Sequence, residues 1–247
     1  MIARHYLTFI ILLALVIPAK ASELRVVSTP HKLLQYKENN ELKGPSSALY
    51  TWLMKEASLS SEVEFMPWAR AFQIAKSTPN SLIFSIVRNQ EREHDFHWIL
   101  PVSQLIQTFI GKSAETSKAQ YSLERIKSRL TVVLRNTYGH SLLLEQGFTE
   151  GENLYVVSSL EVALRLYFEN KVEFIFTEPN VIRNRMKEYG LTESDLVMGP
   201  ILGKAIKKSY IAANKGLSLD ILEKLKKAAS KIQKSQEFQR LFYLVEH

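Results

Sequence analysis

Cysteine is absent from the 247 residues, which excludes a disulfide framework, Cys-ligated zinc or iron–sulfur clusters, and a thiol nucleophile. Glycine and proline are scarce, at nine and eight, so the chain carries no collagen-like or low-complexity tract. The usual signatures of hydrolysis and dinucleotide chemistry are missing as well, since there is no Gly-x-Ser-x-Gly elbow and no Gly-x-Gly-x-x-Gly turn. Gly111-Lys112-Ser113 resembles the end of a phosphate loop, but Ile106 stands where the first glycine must be. His94 and His97 sit three apart with no third imidazole, short of the three or four ligands a closed zinc site needs, so neither a metal nor a cofactor is expected. What remains is 46% hydrophobic and 23% charged, the profile of a globular chain forming one large unit or two lobes.

The first 21 residues are read apart from the fold. Arg4 and His5 form a basic start, Leu7 to Ile17 an apolar stretch, and Ala19-Lys20-Ala21 the small-x-small pattern cut by signal peptidase. The apolar stretch falls far short of the roughly 20 residues a bilayer span needs, so a cleaved signal peptide (1–21) and an exported protein are expected, and the periplasmic location follows from the resemblance described below. Arg4 and Lys20 lie in it, leaving 30 bases against 25 acids, a net charge of +5. Those bases are spread out, apart from helix-spaced lysines between Lys204 and Lys234 that read as a solvated face, so no nucleic-acid partner is expected.

Strand-type runs and amphipathic helices alternate along the rest. Strands are read at 23–28, 62–66, 81–87, 130–134, 153–157, 172–176 and 209–213, with an extended segment at 104–110. Helices are read at 46–57, 67–76, 116–129, 141–146, 159–169 and 182–189, the last closed by Gly190, with two more across 219–242. The alternation predicts an α/β protein with parallel sheets covered on both faces. No linker tract and no internal repeat separates the halves, which suggests two lobes sharing two crossing strands.

Three stretches, in this order, resemble the bacterial extracellular solute-binding proteins of family 3, the periplasmic polar-amino-acid-binding type. The first is Glu64-Phe65-Met66-Pro67-Trp68-Ala69-Arg70-Ala71. The second runs from Phe84 through Arg88-Asn89-Gln90-Glu91-Arg92 to Phe96-His97-Trp98-Ile99-Leu100-Pro101. The third pairs Val132 to Tyr138 with Asn170 to Pro179. The resemblance implies a Venus-flytrap fold of two α/β lobes, here 22–108 with 206–247 and 109–205, that closes over a small ligand. It places Arg92 on the ligand's α-carboxylate, a task suited to a planar guanidinium fork. Arg88 is the second choice for that task. The resemblance also places Glu178 on the α-ammonium, backbone N–H groups near Val87 and Thr137 beside the carboxylate, Tyr138 next to them, and Tyr36 and Trp68 as aromatic walls. Departures are Asn136 for the family's glycine, Asn89 for its threonine, Ala48 in place of an aspartate, and Val87 without a hydroxyl. Glu178 precedes Pro179 and so is also placed to cap a helix, and Trp68 shares an apolar stripe with Phe72 and Ala75 that suits a core.

The function so implied is non-enzymatic capture of a small polar solute, an amino acid or related carboxylate, for an inner-membrane ABC transporter permease, by a monomer. Two alternatives stay open: a ligand-sensing module serving a separate membrane receptor, and a dehydratase-like enzyme with Glu178 as general acid.

Overall fold

The computed structural model describes residues 24–113, 121–202 and 207–243. The expected signal peptide, the start of the expected helix 116–129 and Lys204 lie outside these residues. No helix among the described residues is long and apolar enough to cross a membrane.

Strand β1 (Arg25–Ser28) leads through a loop into a small hairpin of β2 (Tyr36–Glu38) and β3 (Glu41–Lys43). Asn39 and Asn40 turn it with φ of 50° and 64°, the left-handed pair that a two-residue hairpin demands and asparagine tolerates. Helix α1 (Pro45–Glu56) starts on a proline, whose missing N–H would be unpaired there anyway. Then come β4 (Val63–Phe65), α2 (Trp68–Ser77), β5 (Ser81–Val87) and the long β6 (Phe96–Leu105). The chain crosses to the second lobe as β7 (Thr108–Lys112). There it builds α3 (Leu123–Lys127), β8 (Thr131–Leu134), α4 (Tyr138–Glu145), β9 (Leu154–Val157), α5 (Leu160–Phe168), β10 (Phe174–Thr177), α6 (Pro179–Met186) and β11 (Leu196–Met198). It returns as β12 (Lys207–Asn214) and finishes with α7 (Leu219–Ile232) and α8 (Gln236–Tyr243).

The two five-stranded sheets share one plan, β4-β1-β5-β12-β6 in the first lobe and β9-β8-β10-β7-β11 in the second. A repeat of topology therefore exists where the sequence shows none. In each sheet the first three strands are parallel and the fourth is antiparallel to both its neighbours. This corrects the expectation of wholly parallel sheets, and the crossing strands explain it. An incoming strand (β7 or β12) enters its sheet at the end where the parallel strands finish, so it must run against them. The outgoing β6 and β11 finish at that end and run with them.

Other differences have local causes. Phe96 to Pro101, to which the periodicity assigns no element, is the first half of β6; Pro101 is tolerated because β6 lies at the sheet edge, where a missing donor costs little. Helix α4 begins at Tyr138 rather than 141 because the Thr137 hydroxyl accepts from the His140 N–H at 3.1 Å. Helix α3 is only five residues long, capped by Ser122. Helix α6 starts at Pro179, and Gly190 takes the left-handed conformation (φ 69°) after it, as its position suggested.

Both faces of each sheet are covered. In the first lobe α1, α7 and α8 bury Leu49, Leu53, Leu225, Ile232 and Phe238 against Phe84 and Leu100, while α2 packs Ala71 and Ala75 against Val27 and Ile83 on the other face. Two further clusters do the same in the second lobe, one around Val132, Ile175 and Tyr167, the other around Val133, Phe109 and Phe176.

Candidate ligand-binding site

The parallel strands of both sheets point their carboxyl ends at one another, and in open α/β sheets ligands sit beyond those ends. Every candidate group follows from this placement. In the first lobe Thr29, Pro30 and His31 come after β1, Trp68 after β4, and Val87 and Arg92 at and beyond the end of β5. In the second, Thr137 and Tyr138 follow β8, Leu160 follows β9, and Glu178 follows β10. All of them line a single interlobe cavity of about 100 Å³.

Arg92 is the cation of this cavity. It is 4% exposed, and among the described residues it forms no ion pair with a carboxylate. Its guanidinium donates to backbone carbonyls instead, to Asn136 at 2.7 Å across the cleft and to Val87 at 3.4 Å, and stacks 4.9 Å over the Phe72 ring. Burial pushes its pKa down to about 10, against the opposing pull of the Glu91 and Asp95 carboxylates, so it stays charged at neutral pH. A guanidinium has five donors, and a desolvated charge served only by neutral carbonyls is costly. An anion entering the cavity would relieve that cost. The turn is held by Asn89, whose side chain accepts from the Arg92 N–H at 3.2 Å.

Glu178 is the anion of the cavity. It occupies the N-cap position of α6, yet its side chain makes no capping bond. The carboxylate turns into the cleft, accepting from Gln107 Nε2 at 2.9 Å and lying 3.5 Å from His31 Nε2. Both ring nitrogens of His31 and Oε1 of Gln107 are buried without a hydrogen-bond partner. Buried polar atoms are rarely left so, and these three lie beside the cavity where a polar guest would meet them.

No family model matches the sequence, and no curated protein matches it significantly. Solved structures do match. The arginine-, lysine-, histidine-binding protein ArtJ from Geobacillus stearothermophilus superposes with a TM-score of 0.70 at 18% identity, covering 90% of this chain and 94% of that one. The amino-acid ABC transporter substrate-binding protein AbpA from Streptococcus pneumoniae, bound to L-arginine, superposes at 0.72 with 15% identity over 90% and 94%. A histidine kinase sensor domain with similarity to periplasmic binding proteins superposes at 0.72 with 15% identity over 89% and 94%.

The fold is that of a two-lobed periplasmic binding protein.

Within this binding-protein fold the sequence-derived candidates divide clearly. Arg92, Glu178, Trp68, Val87, Thr137 and Tyr138 surround one cavity. Tyr36 lines an adjoining, larger one. Arg88 lies outside both: its guanidinium pairs with Glu93 at 2.9 Å and rests 5.5 Å over Trp98, on the solvent side of the turn. The Thr137 hydroxyl donates to the Leu134 carbonyl at 2.7 Å while it caps α4, and the Thr137 N–H donates to the same carbonyl at 3.4 Å, so the backbone donor expected for the ligand is already engaged. Tyr138 receives Lys207 from the returning strand, 4.7 Å from its ring centre. Gln107, His31, Gln35 and Ser85 are lining residues that sequence reasoning did not single out. Gln35 is fully buried, donating to the Thr29 carbonyl and accepting from Ser85 Oγ at 2.7 Å. A lone glutamine in a crossing segment carries no signal in sequence; His31 had only its place at the head of the loop after β1.

Trp68 is both core and contact. It is 5% exposed and packs beside Ala71 and Ala75, while its indole N–H donates to the Asn136 carbonyl at 2.9 Å across the cleft. Asn136 takes the left-handed backbone (φ 58°), and its carbonyl accepts from both Trp68 and Arg92. Trp68→Phe removes one of these interlobe bonds, worth about 0.5–1.5 kcal/mol. It is therefore expected to shift the ligand-free protein toward an open form, seen as a larger radius of gyration in small-angle scattering. An unchanged radius would show that the bond does not hold the lobes together.

Proposed function

We propose that this chain is an exported, periplasmic solute-binding protein of the family 3 type, with lobes at 22–108 plus 206–247 and 109–205. It captures an amino acid or related small carboxylate between its lobes and hands it, as a monomer, to an inner-membrane ABC transporter permease. The observation that supports this reading is a buried Arg92 guanidinium, with no ion pair among the described residues, lining the same cavity as Glu178. A zwitterion supplies each group with its counter-charge, and only a ligand that does so recovers the desolvation cost of both. Binding contacts come from both lobes, so they favour the closed form, as the binding-protein fold requires. No covalent step is involved, and the two charges serve recognition alone.

A thermal-shift screen of the chain from Ser22 onward against the twenty amino acids and common organic acids tests this, because a ligand bound only by the folded state raises the melting temperature. Stabilisation by carboxylates is expected; stabilisation confined to solutes lacking a carboxylate would contradict the reading. Glu178→Gln separates the two ends of the ligand. It is expected to weaken amino-acid binding about tenfold or more through loss of a charge-assisted contact, while leaving simple monocarboxylates unaffected. Equal losses for both would remove the ammonium role of Glu178.

A second reading, a sensor domain acting on a separate membrane receptor, is favoured by the superposition on the histidine kinase sensor domain. Purification of the protein's partners from the cell envelope distinguishes permease from receptor.

A further inference from the structure

The interlobe cavity that Arg92 and Glu178 line does not stand alone. A second cavity of about 480 Å³ adjoins it, with Thr29, Pro30, His31 and Leu160 lining both. The division of space is uneven. The smaller compartment, of about 100 Å³, holds Arg92 and Glu178 and accommodates little beyond a carboxylate and an ammonium group. Binding pockets for drug-sized molecules run from about 300 to 1,000 Å³, so the larger compartment has the capacity for the body of a guest.

Its walls indicate what that body is. Tyr36, Phe65 and Met66 from the first lobe face Leu164 and Val181 from the second. Three charged side chains lie on it, and two of them neutralise each other: Arg185 pairs with Glu161 at 3.2 Å and with Glu188 at 2.7 Å. The third, Lys32, is exposed. The acidic group on the wall is therefore already engaged with an arginine, and the remaining cation would repel a basic side chain.

Resting on the amino-acid reading above, we infer that the ligand is an α-amino acid with a bulky apolar or aromatic side chain. The head is held between Arg92 and Glu178, and the side chain passes His31 into the larger compartment. This differs from the arginine bound by AbpA, whose charged end would need an acidic partner that this wall does not offer free.

Calorimetric titration of the chain from Ser22 onward with alanine, leucine, phenylalanine, tryptophan and arginine tests the inference. Burial of the larger side chain is expected to make phenylalanine or tryptophan bind about tenfold or more tightly than alanine, with arginine weaker than either. Asn184, exposed on the rim of the larger compartment, supplies the variant: Asn184→Trp projects an indole into that space and is expected to bring the phenylalanine-to-alanine affinity ratio down toward one. Alanine binding as tightly as phenylalanine, or arginine binding tightest, overturns the side-chain assignment and leaves the amino-acid reading standing. Binding of none of the five, while other solutes bind, overturns both.

Discussion

Arg92→Met is expected to lower affinity for the amino-acid ligand by about 100-fold or more, the largest functional effect of any single change in the cleft. Removing one partner of a buried ion pair costs the contact and strands the other charge, here the ligand's carboxylate, in a site stripped of water. The ligand-free protein responds oppositely. There Arg92 has no ion pair among the described residues and donates to the carbonyls of Asn136 and Val87, and the former still receives the Trp68 indole N–H. Methionine fills similar space without a charge to desolvate, so the melting temperature of ligand-free protein is expected to hold or rise. Calorimetry and thermal melting on the same variant read both halves. A large drop in ligand-free melting temperature with affinity unchanged would make Arg92 a structural residue.

Phe84→Ala is expected to destabilise the protein by about 3–5 kcal/mol, the range for truncating a buried phenylalanine. The ring is fully buried in β5, stacked on Tyr50 at 5.2 Å between centres and edge-on to Phe65 at 6.4 Å. It joins the sheet to α1 in the largest cluster of the first lobe, and its carbonyl receives the Ser28 hydroxyl at the end of β1. The hole would thus open beneath the strand that carries Ser85 and Val87 to the cavity. At about 2–4 °C per kcal/mol for a chain this size, the melting temperature falls by roughly 6–20 °C. A fall of only a degree or two, measured by calorimetric melting, would mean the first lobe collapses around the gap or does not depend on this layer.

The fold was legible in the sequence wherever periodicity and local chemistry agree. The buried run Ser81 to Val87, the amphipathic pattern of 219–242 and the glycine at 190 are local signals, and the structure has an element or a left-handed turn at each. Strand direction was not legible, because whether β7 and β12 run against their neighbours depends on which lobe the chain enters from. The hairpin on Asn39 and Asn40 carries little signal because its strands are three residues long and none of their residues is buried. In the cleft, Arg92 and Glu178 could be named from a motif resemblance, and they line one cavity. Their supporting groups could not. The Gln107 side chain that holds Glu178 lies 71 residues away in sequence, and the carbonyl that binds Arg92 comes from Asn136, 44 residues on. Arg88 shows the reverse error of scale: four residues from Arg92, it points to Glu93 and Trp98 instead of the cavity.

The account rests on a carboxylate replacing the Asn136 carbonyl as the main partner of a buried guanidinium. A crystal structure of the protein with the tightest amino acid from the screen reads this directly. The account predicts both carboxylate oxygens within about 3 Å of the Arg92 guanidinium nitrogens, with the ammonium group beside Glu178. A ligand bound with its carboxylate elsewhere, and Arg92 still donating to Asn136 as its chief contact, would contradict it.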